Sequence, residues 1–219
     1  KEPAIYGDGL TFGRCSKCEY EFRKENPQPQ DQEVTEDGFP HQRVKDLISI
    51  IMPVYMVNYP LFHYTGNAIG SVRSHTKKNT YELIIVDNGS PIKPPNMQSY
   101  YAHKIVTNET NMGVAASRNV GLKAARAPFV IMLDADDYIT KYACFILKEY
   151  CESNNELLAT ACDYIKVDEN ENVIGRCSAK DEPISCGVMY RTDLLRALNG
   201  YNNNIRHREE EEMRRRIGE

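Results

Sequence analysis

The sequence lacks the features that mark several large classes of protein. It has no excess of basic residues, because 27 Lys and Arg stand against 31 Asp and Glu, and bulk electrostatics therefore does not favour nucleic acid as a partner. No apolar run approaches the length needed to cross a bilayer, and the start at Lys1-Glu2-Pro3 has no signal-peptide core. These absences predict a cytoplasmic setting, although a chain that starts on Lys and stops at Glu219 is also consistent with a fragment of a longer protein.

Cysteine is present but follows no regular framework. The seven cysteines form an odd set, which argues against a secreted disulfide scaffold. Only Cys15 and Cys18 have the spacing of a zinc knuckle. A closed Zn²⁺ site needs four ligands, so Cys177, Cys186 or His41 would have to complete it. The pair is therefore either half of a structural Zn²⁺ site or structurally incidental.

Two phosphate-binding motifs are also missing. The chain contains no Gly-x-x-x-x-Gly-Lys loop, and no Gly-x-Gly-x-x-Gly follows its first predicted strand. Neither a P-loop NTPase nor a dinucleotide dehydrogenase is therefore supported.

The alternation of apolar and polar segments predicts the fold class. Residues 1–45 are polar and turn-rich, which indicates an N-terminal extension. Apolar runs at 47–54, 81–87, 104–106 and 129–133 predict strands, with helices near 62–74 and 114–125 between them. This order is expected of a parallel sheet covered by helices on both faces. A helix at 140–153, a hairpin formed by 157–167 and 172–175, a strand at 184–190 and a helix at 192–198 predict a mixed second half.

Three carboxylates follow the fourth predicted strand. The run 129–133 leads directly into Asp134, Asp136 and Asp137, at the strand end where open α/β sheets place their ligand crevice. A divalent cation that holds substrate phosphates would neutralise this cluster, because Mg²⁺ usually takes one or two protein carboxylates and leaves the rest of its shell to water and phosphate. Standing alone, the cluster is equally compatible with a solvated acidic turn that caps the next helix.

A second strand end carries the sequence Asp-Asn-Gly-Ser at 87–90. The carboxylate of Asp87 can accept a hydrogen bond from a ring N–H, and the glycine lets the backbone approach a ligand closely. The alternative is a simple Asn-Gly turn in which Asp87 is a local cap. Because both strands are predicted to lie in one parallel sheet, we expect Asp87 and the Asp134 cluster to line the same edge.

The helix predicted at 114–125 offers a further polar site. Asn111 and Gly113 precede it and Arg118 lies inside it. The amides at its N-terminus suit an anion, and Arg118 can pair with phosphate or with the acidic cluster. An ordinary structural ion pair explains Arg118 equally well.

The last predicted helix, at 207–216, begins with acidic residues. Glu210, Glu211 and Glu212 each stand four residues before an arginine, which predicts a solvated helix with salt bridges between successive turns. The four glutamates follow an Asn-Gly-Tyr turn at 199–201, however. Carboxylates at a helix start, held near a metal-bound substrate, are candidates for a general base.

Taken together, these segments resemble family 2 glycosyltransferases of the GT-A fold over residues 46–217. The matching stretches are Ile-Ser-Ile-Ile-Met-Pro-Val-Tyr at 48–55, Glu-Leu-Ile-Ile-Val-Asp-Asn-Gly-Ser at 82–90, Asn-Met-Gly at 111–113 with Ala-Ser-Arg-Asn at 116–119, and Leu-Asp-Ala-Asp-Asp at 133–137. The resemblance implies an α/β, Rossmann-like fold with a mostly parallel central sheet, helices on both faces and a mixed second half. It places a GT-A domain at 46–219, truncated at its C-terminus, behind the extension at 1–45.

The resemblance also implies roles for individual residues. The nucleotide-binding side chains would be Pro53, Val54, Tyr55, Asp87, Asn111, Arg118 and Asp134. Asp136 would ligate Mn²⁺ or Mg²⁺ bridging the diphosphate, with His207 as a further ligand. Glu210 stands where the family has its catalytic base, usually Asp. Four consecutive glutamates leave the register open by one residue, so Glu209 is the alternative base.

The implied reaction is metal-dependent transfer of a hexosyl or N-acetylhexosaminyl group, with inversion, in polysaccharide or glycan biosynthesis. The donor would be a nucleotide-diphosphate sugar, a UDP-sugar first of all, and the acceptor a hydroxyl of a glycan or another molecule.

Two other functional classes stay open. One is a non-catalytic nucleotide-sugar-binding module of a larger protein. The other is a nucleotidyltransferase, which the lack of a Gly-rich basic loop after the first strand opposes.

Overall fold

The computed structural model describes residues 5–6, 10–11, 46–76, 80–92 and 102–218. Most of the predicted N-terminal extension lies outside these residues, and so do Cys15 and Cys18 with the predicted Zn²⁺ site. Within the extension, β1 (Ile5–Tyr6) pairs antiparallel with β2 (Leu10–Thr11).

A six-stranded sheet forms the centre of the protein, in the order β5-β4-β3-β6-β10-β7. Its strands are β3 (Ile48–Val54), β4 (Tyr81–Asp87), β5 (Lys104–Thr107), β6 (Phe129–Met132), β7 (Ala159–Ala161) and β10 (Val188–Arg191). The first four run parallel, whereas β10 runs antiparallel to β6 and β7. The predicted mostly parallel α/β sheet with a mixed second half is therefore confirmed.

Helices cover both faces of this sheet because its strands are apolar on both sides. The helices are α1 (Pro60–His75), α2 (Val114–Ala124), α3 (Ala143–Ser153), α4 (Thr192–Ala197) and α5 (Glu209–Ile217). Ile50 packs in the core layer that contains α1 and α3, whereas its neighbour Ile51 packs in the layer that contains α2, α4 and α5. Both side chains are fully buried, and each such burial stabilises the fold by about 1.5–3 kcal/mol. Of the helices in the described parts of the chain, none is long and apolar enough to span a membrane.

The strand order places a crevice at one edge of the sheet. From β3 the chain moves outward through β4 to β5, and then returns to the opposite side of β3 with β6. Ligands of open α/β sheets bind at this kind of reversal, outside the carboxyl ends of the strands. Here those ends are Val54 of β3 and Met132 of β6.

The second half departs from the prediction in one respect. Instead of one strand, the segment 157–167 forms β7, which joins the central sheet, and β8 (Tyr164–Val167), which pairs with β9 (Val173–Cys177) in a separate hairpin. The break falls at Cys162, where the backbone N–H donates to Gly187 O at 3.0 Å. The sequence predicts one strand here because local periodicity does not show which sheet a residue joins.

Candidate functional site

The predicted nucleotide-binding residues come together at the carboxyl edge of the sheet. Pro53 and Val54 end β3, Asp87 ends the neighbouring β4, and Asp134 follows β6 on the other side of β3. Beyond Val54, the residue Tyr55 is 41% exposed, so an aromatic side chain is accessible there to a ligand. The expectation that Asp87 and Asp134 line one edge is confirmed.

Asp87 is buried and forms the local cap that the sequence allowed. Its Oδ1 accepts a hydrogen bond from Ser90 N at 2.9 Å, and the Ser90 hydroxyl in turn accepts one from Met56 N at 2.9 Å. The carboxylate is therefore held at the end of β4 by the turn that follows it.

Asn88 connects this turn to the segment before α2. Its Oδ1 accepts from Met112 N at 2.9 Å and its Nδ2 donates to Asn111 Oδ1 at 2.9 Å. Gly89 makes the contact sterically possible: its φ is +70°, and a Cβ there would lie 2.5 Å from the carbonyl carbon of Thr110. Asn111 thus reaches the same edge, although sequence reasoning had not singled out Asn88 as its partner.

Arg118 is the centre of the site. Its side chain is 2% exposed. The guanidinium donates through Nη2 to Asp134 at 2.9 Å, and through Nη1 to Glu209 at 2.9 Å and Glu210 at 2.5 Å. The guanidinium also lies 5.4 Å from the ring centroid of Tyr201, a cation–π arrangement. One arginine therefore joins the strand-end carboxylate to the acidic start of α5. Glu209 and Glu210 are 91 and 92 positions away from Arg118 in the sequence.

Three carboxylates surround the single positive charge of Arg118. Burial alone lowers the pKa of Arg118, but the carboxylates of Asp134 and Glu210 outweigh it and hold that pKa above its ordinary value. The guanidinium therefore stays charged at every physiological pH. Three carboxylates converge on it, so the cluster as a whole carries negative charge, which a bound cation would neutralise.

Glu210 has an environment unlike that of a surface helix residue. Burial raises its pKa above the ordinary value, Arg118 lowers it, and the neighbouring charge of Glu209 raises it again. The predicted pairing of Glu210 with Arg214 is wrong, because Glu210 binds Arg118 while Arg214 donates to Ala179 O at 2.7 Å. Of the predicted pairs, the structure contains the one between Glu212 and Arg216, at 2.8 Å.

The turn before α5 is held against α2. Asn119 Oδ1 accepts from Tyr201 N at 2.7 Å and its Nδ2 donates to Tyr201 O at 2.8 Å. Arg216 Nη2 donates to Gly200 O at 2.7 Å. Gly200 has φ +70°, and a Cβ at this position would lie 2.1 Å from Asn119 Oδ1. These contacts place α5 so that its first turn reaches Arg118.

Asp136 and Asp137 differ in their exposure to solvent and in their contacts. Asp136 is exposed in the turn after β6. Asp137 belongs to the cluster that the sequence also allowed as an acidic turn capping the next helix, but it lies well before α3 and hydrogen-bonds with the Cys186 thiol. Burial, with the charges of Asp134 and Asp136, raises the pKa of Asp137 to about 6. The prediction that this turn caps the next helix is wrong for Asp137, because α3 begins only at Ala143.

A cavity of about 370 Å³ opens beside these two aspartates, between α3 and the β8–β9 hairpin. Its walls are mainly apolar and include Leu147, Ile165 and Cys186. Small-molecule sites of proteins typically have volumes of about 300–1,000 Å³. The cavity is therefore large enough for part of a ligand whose charged end reaches the aspartates.

His207, the further metal candidate, lies on another side of the site. It is exposed and lines a small cleft with Met112 and Gly113 at the start of α2. Within the described ranges, no group of three or more His, Cys, Asp or Glu side chains is arranged to hold a metal ion. The assignment of His207 to a metal stays a prediction.

Sequence reasoning missed Ser185. This serine is 2% exposed and its Oγ lies 2.5 Å from Arg118 Nη2 and 3.3 Å from Asp134 Oδ2. It precedes β10 and stands 67 positions from Arg118. Nothing local in the run Ile-Ser-Cys-Gly at 184–187 marks it, because only the antiparallel pairing of β10 with β6 brings this segment to the site.

Comparison with known proteins decides the family. Residues 49–211 match the family model described as Glycosyl transferase family 2. The chain belongs to this glycosyltransferase family. It is 30% identical over 135 residues to an uncharacterized glycosyltransferase of Methanocaldococcus jannaschii, an alignment that covers 59% of this chain and 46% of that protein. The chain spans less than half the length of several curated relatives that it matches.

Solved structures support the GT-A fold. TarS of S. aureus in complex with UDP superposes with a TM-score of 0.60 at 22% identity, over 74% of this chain and 52% of that one. TarS has also been solved with UDP-GlcNAc, with a TM-score of 0.57. The mannosyltransferase PcManGT from Pyrobaculum calidifontis, in complex with GDP-Man and Mn²⁺, gives 0.55 at 16% identity over 86% of this chain and 55% of that one. At these identities the likeness shows the fold alone.

Proposed function

We propose that residues 46–219 form the catalytic domain of an inverting, metal-dependent glycosyltransferase that uses a UDP-sugar and transfers a hexosyl or N-acetylhexosaminyl group to an acceptor hydroxyl. The observation that carries the proposal is the cluster on Arg118. It joins Asp134, at the ligand-binding edge of a parallel sheet, to Glu209 and Glu210 at the start of α5. A donor-binding carboxylate and a candidate base are thus held within reach of one another.

The nucleoside end of the donor is assigned to the ends of β3 and β4. Tyr55 offers an exposed ring for stacking, and Asp87 offers an acceptor for a ring N–H. The anionic diphosphate would then extend toward the turn after β6. UDP in the complex of TarS, which shares this fold, is consistent with a uridine donor.

The residues present fit a divalent cation. Mg²⁺ takes one or two protein carboxylates and fills its remaining positions with water and phosphate oxygens, so a preformed cluster of three protein ligands is not required. Asp136 is exposed in the turn after β6 and suits this role, whereas Asp134 is committed to Arg118. When bound, Mn²⁺ or Mg²⁺ would offset the charge that develops on the departing diphosphate.

Glu210 is assigned as the general base. It would accept the proton of the acceptor hydroxyl as that oxygen attacks the anomeric carbon, on the face opposite the leaving diphosphate. Burial raises the pKa of Glu210 above its ordinary value, and a carboxylate with a higher pKa is a stronger base. Arg118 keeps enough positive charge beside Glu210 for the carboxylate to be ionised before the acceptor arrives.

Two substitutions test the assignment. We expect Asp136→Ala to abolish Mn²⁺-dependent turnover of UDP-sugars, and Glu210→Gln to stop transfer while UDP binding measured by calorimetry is retained. Glu211→Gln, on the same helix and paired with Arg208, is the matched control and should remain active. Glu209→Gln shows whether Glu209 or Glu210 is the base. The base is the glutamate whose replacement by glutamine stops transfer. Full activity in both Asp136→Ala and Glu210→Gln would refute the proposal.

A non-catalytic nucleotide-sugar-binding module is the second candidate. The observation that favours it is the close contact between Glu210 and Arg118, which occupies the carboxylate that the reaction needs. Slow hydrolysis of UDP-sugar by this chain without acceptor would support an enzyme. Binding of UDP-sugar with no hydrolysis, under conditions in which Mn²⁺ is saturating, would support the binding module.

A further inference from the structure

The segment before β10 separates two parts of the site. Ser185 accepts a hydrogen bond from Arg118 at 2.5 Å, and Arg118 also binds Glu210. The residues on either side of this serine, Ile184 and Cys186, line the cavity between α3 and the β8–β9 hairpin. Alternate residues of an extended chain point to opposite faces. The cavity and the Arg118 cluster, which includes the proposed base, therefore lie on opposite sides of this segment.

This position favours the donor sugar over the acceptor as the occupant of the cavity. The acceptor hydroxyl has to reach Glu210, which lies on the Arg118 side. Asp136, which is assigned to the cation that bridges the diphosphate, lines the cavity together with Asp137. The sugar of the donor is joined directly to that diphosphate. A group carried by the sugar is therefore the part of the two substrates that reaches the cavity.

The walls of the cavity discriminate between kinds of sugar substituent. They are mainly apolar and include Leu147, Ile165 and Cys186, and the volume of about 370 Å³ is near the lower end of the range for small-molecule sites. A hydroxyl buried against such walls without a partner loses the hydrogen bonds that it makes in water. A methyl group gains free energy from the same burial. The walls therefore suit a substituent that ends in a methyl group better than one that ends in a hydroxyl.

Thr140 adds a polar group to these walls. It lines the cavity, and its buried hydroxyl has no hydrogen-bond partner among the residues that the structure describes. Buried polar groups in folded proteins are nearly always paired, so a ligand oxygen that accepts from this hydroxyl would remove the cost of leaving it unpaired. The carboxylate of Asp137 can accept from a ligand N–H. An amide carries both of these groups, and an acetamido group adds the methyl.

We propose that this cavity binds the acetamido group of the donor sugar, so that the enzyme uses an N-acetylhexosamine donor in preference to an unsubstituted hexose donor. The methyl group lies against the apolar walls, the carbonyl oxygen accepts from Thr140, and the N–H donates to Asp137. The inference rests on the proposed function, which supplies a UDP-sugar held through its diphosphate at Asp136.

Calorimetry with matched pairs of donors tests the preference. The ligands are UDP alone, UDP-glucose with UDP-GlcNAc, and UDP-galactose with UDP-GalNAc, all at saturating Mn²⁺. We expect each N-acetylhexosamine donor to bind at least about tenfold more tightly than its hexose counterpart, the effect of filling an apolar pocket with one small group. Equal affinities within each pair, with UDP itself bound, would overturn the inference and leave the proposed function standing. No binding of UDP or of any of the four donors would overturn both.

A cavity-filling substitution tests the location of the acetamido group. Ile165→Trp enlarges a residue of the cavity wall and should reduce the difference within each pair to about twofold or less, because the space for the substituent is lost. The affinity for UDP should be unchanged. Ile174→Trp, on β9 of the same hairpin and 67% exposed, is the matched control and should keep the preference of the wild type. An Ile165→Trp variant that kept the full preference would show that the acetamido group binds elsewhere.

Thr140→Val tests the amide contact, because it keeps the shape of the side chain and removes the hydroxyl. We expect it to weaken binding of both N-acetylhexosamine donors about three- to tenfold, the effect of one hydrogen bond, and we expect Thr140→Ser to restore most of this loss. Because the hydroxyl is unpaired in the free protein, the free energy of unfolding should not fall in Thr140→Val. Unchanged binding of these donors by Thr140→Val would refute the contact on which the proposal depends.

Discussion

Asp137 allows a quantitative test of the electrostatics beside the candidate metal site. Burial and the charges of Asp134 and Asp136 raise the pKa of Asp137 from its ordinary value of 3.8 to about 6. The folded protein therefore holds a proton, between about pH 4 and pH 6, that the unfolded chain has already released. Stability from this group is fully present below about pH 4 and is lost as pH rises through 6.

The magnitude follows from the two pKa values. A rise of about two in pKa corresponds to roughly 3 kcal/mol at 1.36 kcal/mol for each pKa unit. Asp137 is partly accessible to solvent, which screens part of this energy, so a measured value of about 1.5–3 kcal/mol is expected. Asp137→Asn removes the titration but keeps an oxygen that can accept from the Cys186 thiol. At pH 7 the variant should be more stable than the wild type by about this amount, and near pH 4 the two should be similar.

Urea unfolding followed by far-UV circular dichroism measures the difference, since the chain has no tryptophan for fluorescence. EDTA should be present, because a bound cation would lower the pKa of neighbouring carboxylates. Cys186→Ala is a second probe: the thiol hydrogen bond lowers the pKa of Asp137, so its removal should move the loss of stability to higher pH. A difference between wild type and Asp137→Asn that is constant from pH 4 to pH 7 would refute the reasoning.

Two further predictions concern the residues that hold the site together. Arg118→Met removes the shared partner of three carboxylates. We expect the free energy of unfolding at pH 7, measured in urea titrations, to fall by about 3–5 kcal/mol. A loss below about 1 kcal/mol would contradict a central role for this ion cluster. Gly200→Ala forces a Cβ against Asn119 in a backbone of positive φ and should cost at least about 1 kcal/mol. Gly66→Ala, inside α1 with open space around the glycine, is its control and should be neutral or slightly stabilising; equal effects of the two substitutions would argue against the steric explanation.

The sequence by itself determined the parallel half of the sheet and one edge of the site. Strands β3, β4 and β6 are short, continuous apolar runs, and continuous runs of this kind are buried on both faces, as a parallel sheet requires. Once the strands are parallel, polar residues that directly follow them must lie at one edge. Asp87 and Asp134 could therefore be placed together without any knowledge of tertiary contacts.

Only the tertiary structure decided which side chains meet across long stretches of chain. The i,i+4 spacing predicted that Glu210 would pair with Arg214 on α5, but a buried guanidinium on α2 binds it instead, since an unpaired Arg118 in this position would be far more costly than the loss of one exposed helical pair. Ser185 reaches the same guanidinium because β10 pairs antiparallel with β6. These contacts depend on strand pairing and charge burial between distant segments, and no local pattern of residues encodes them.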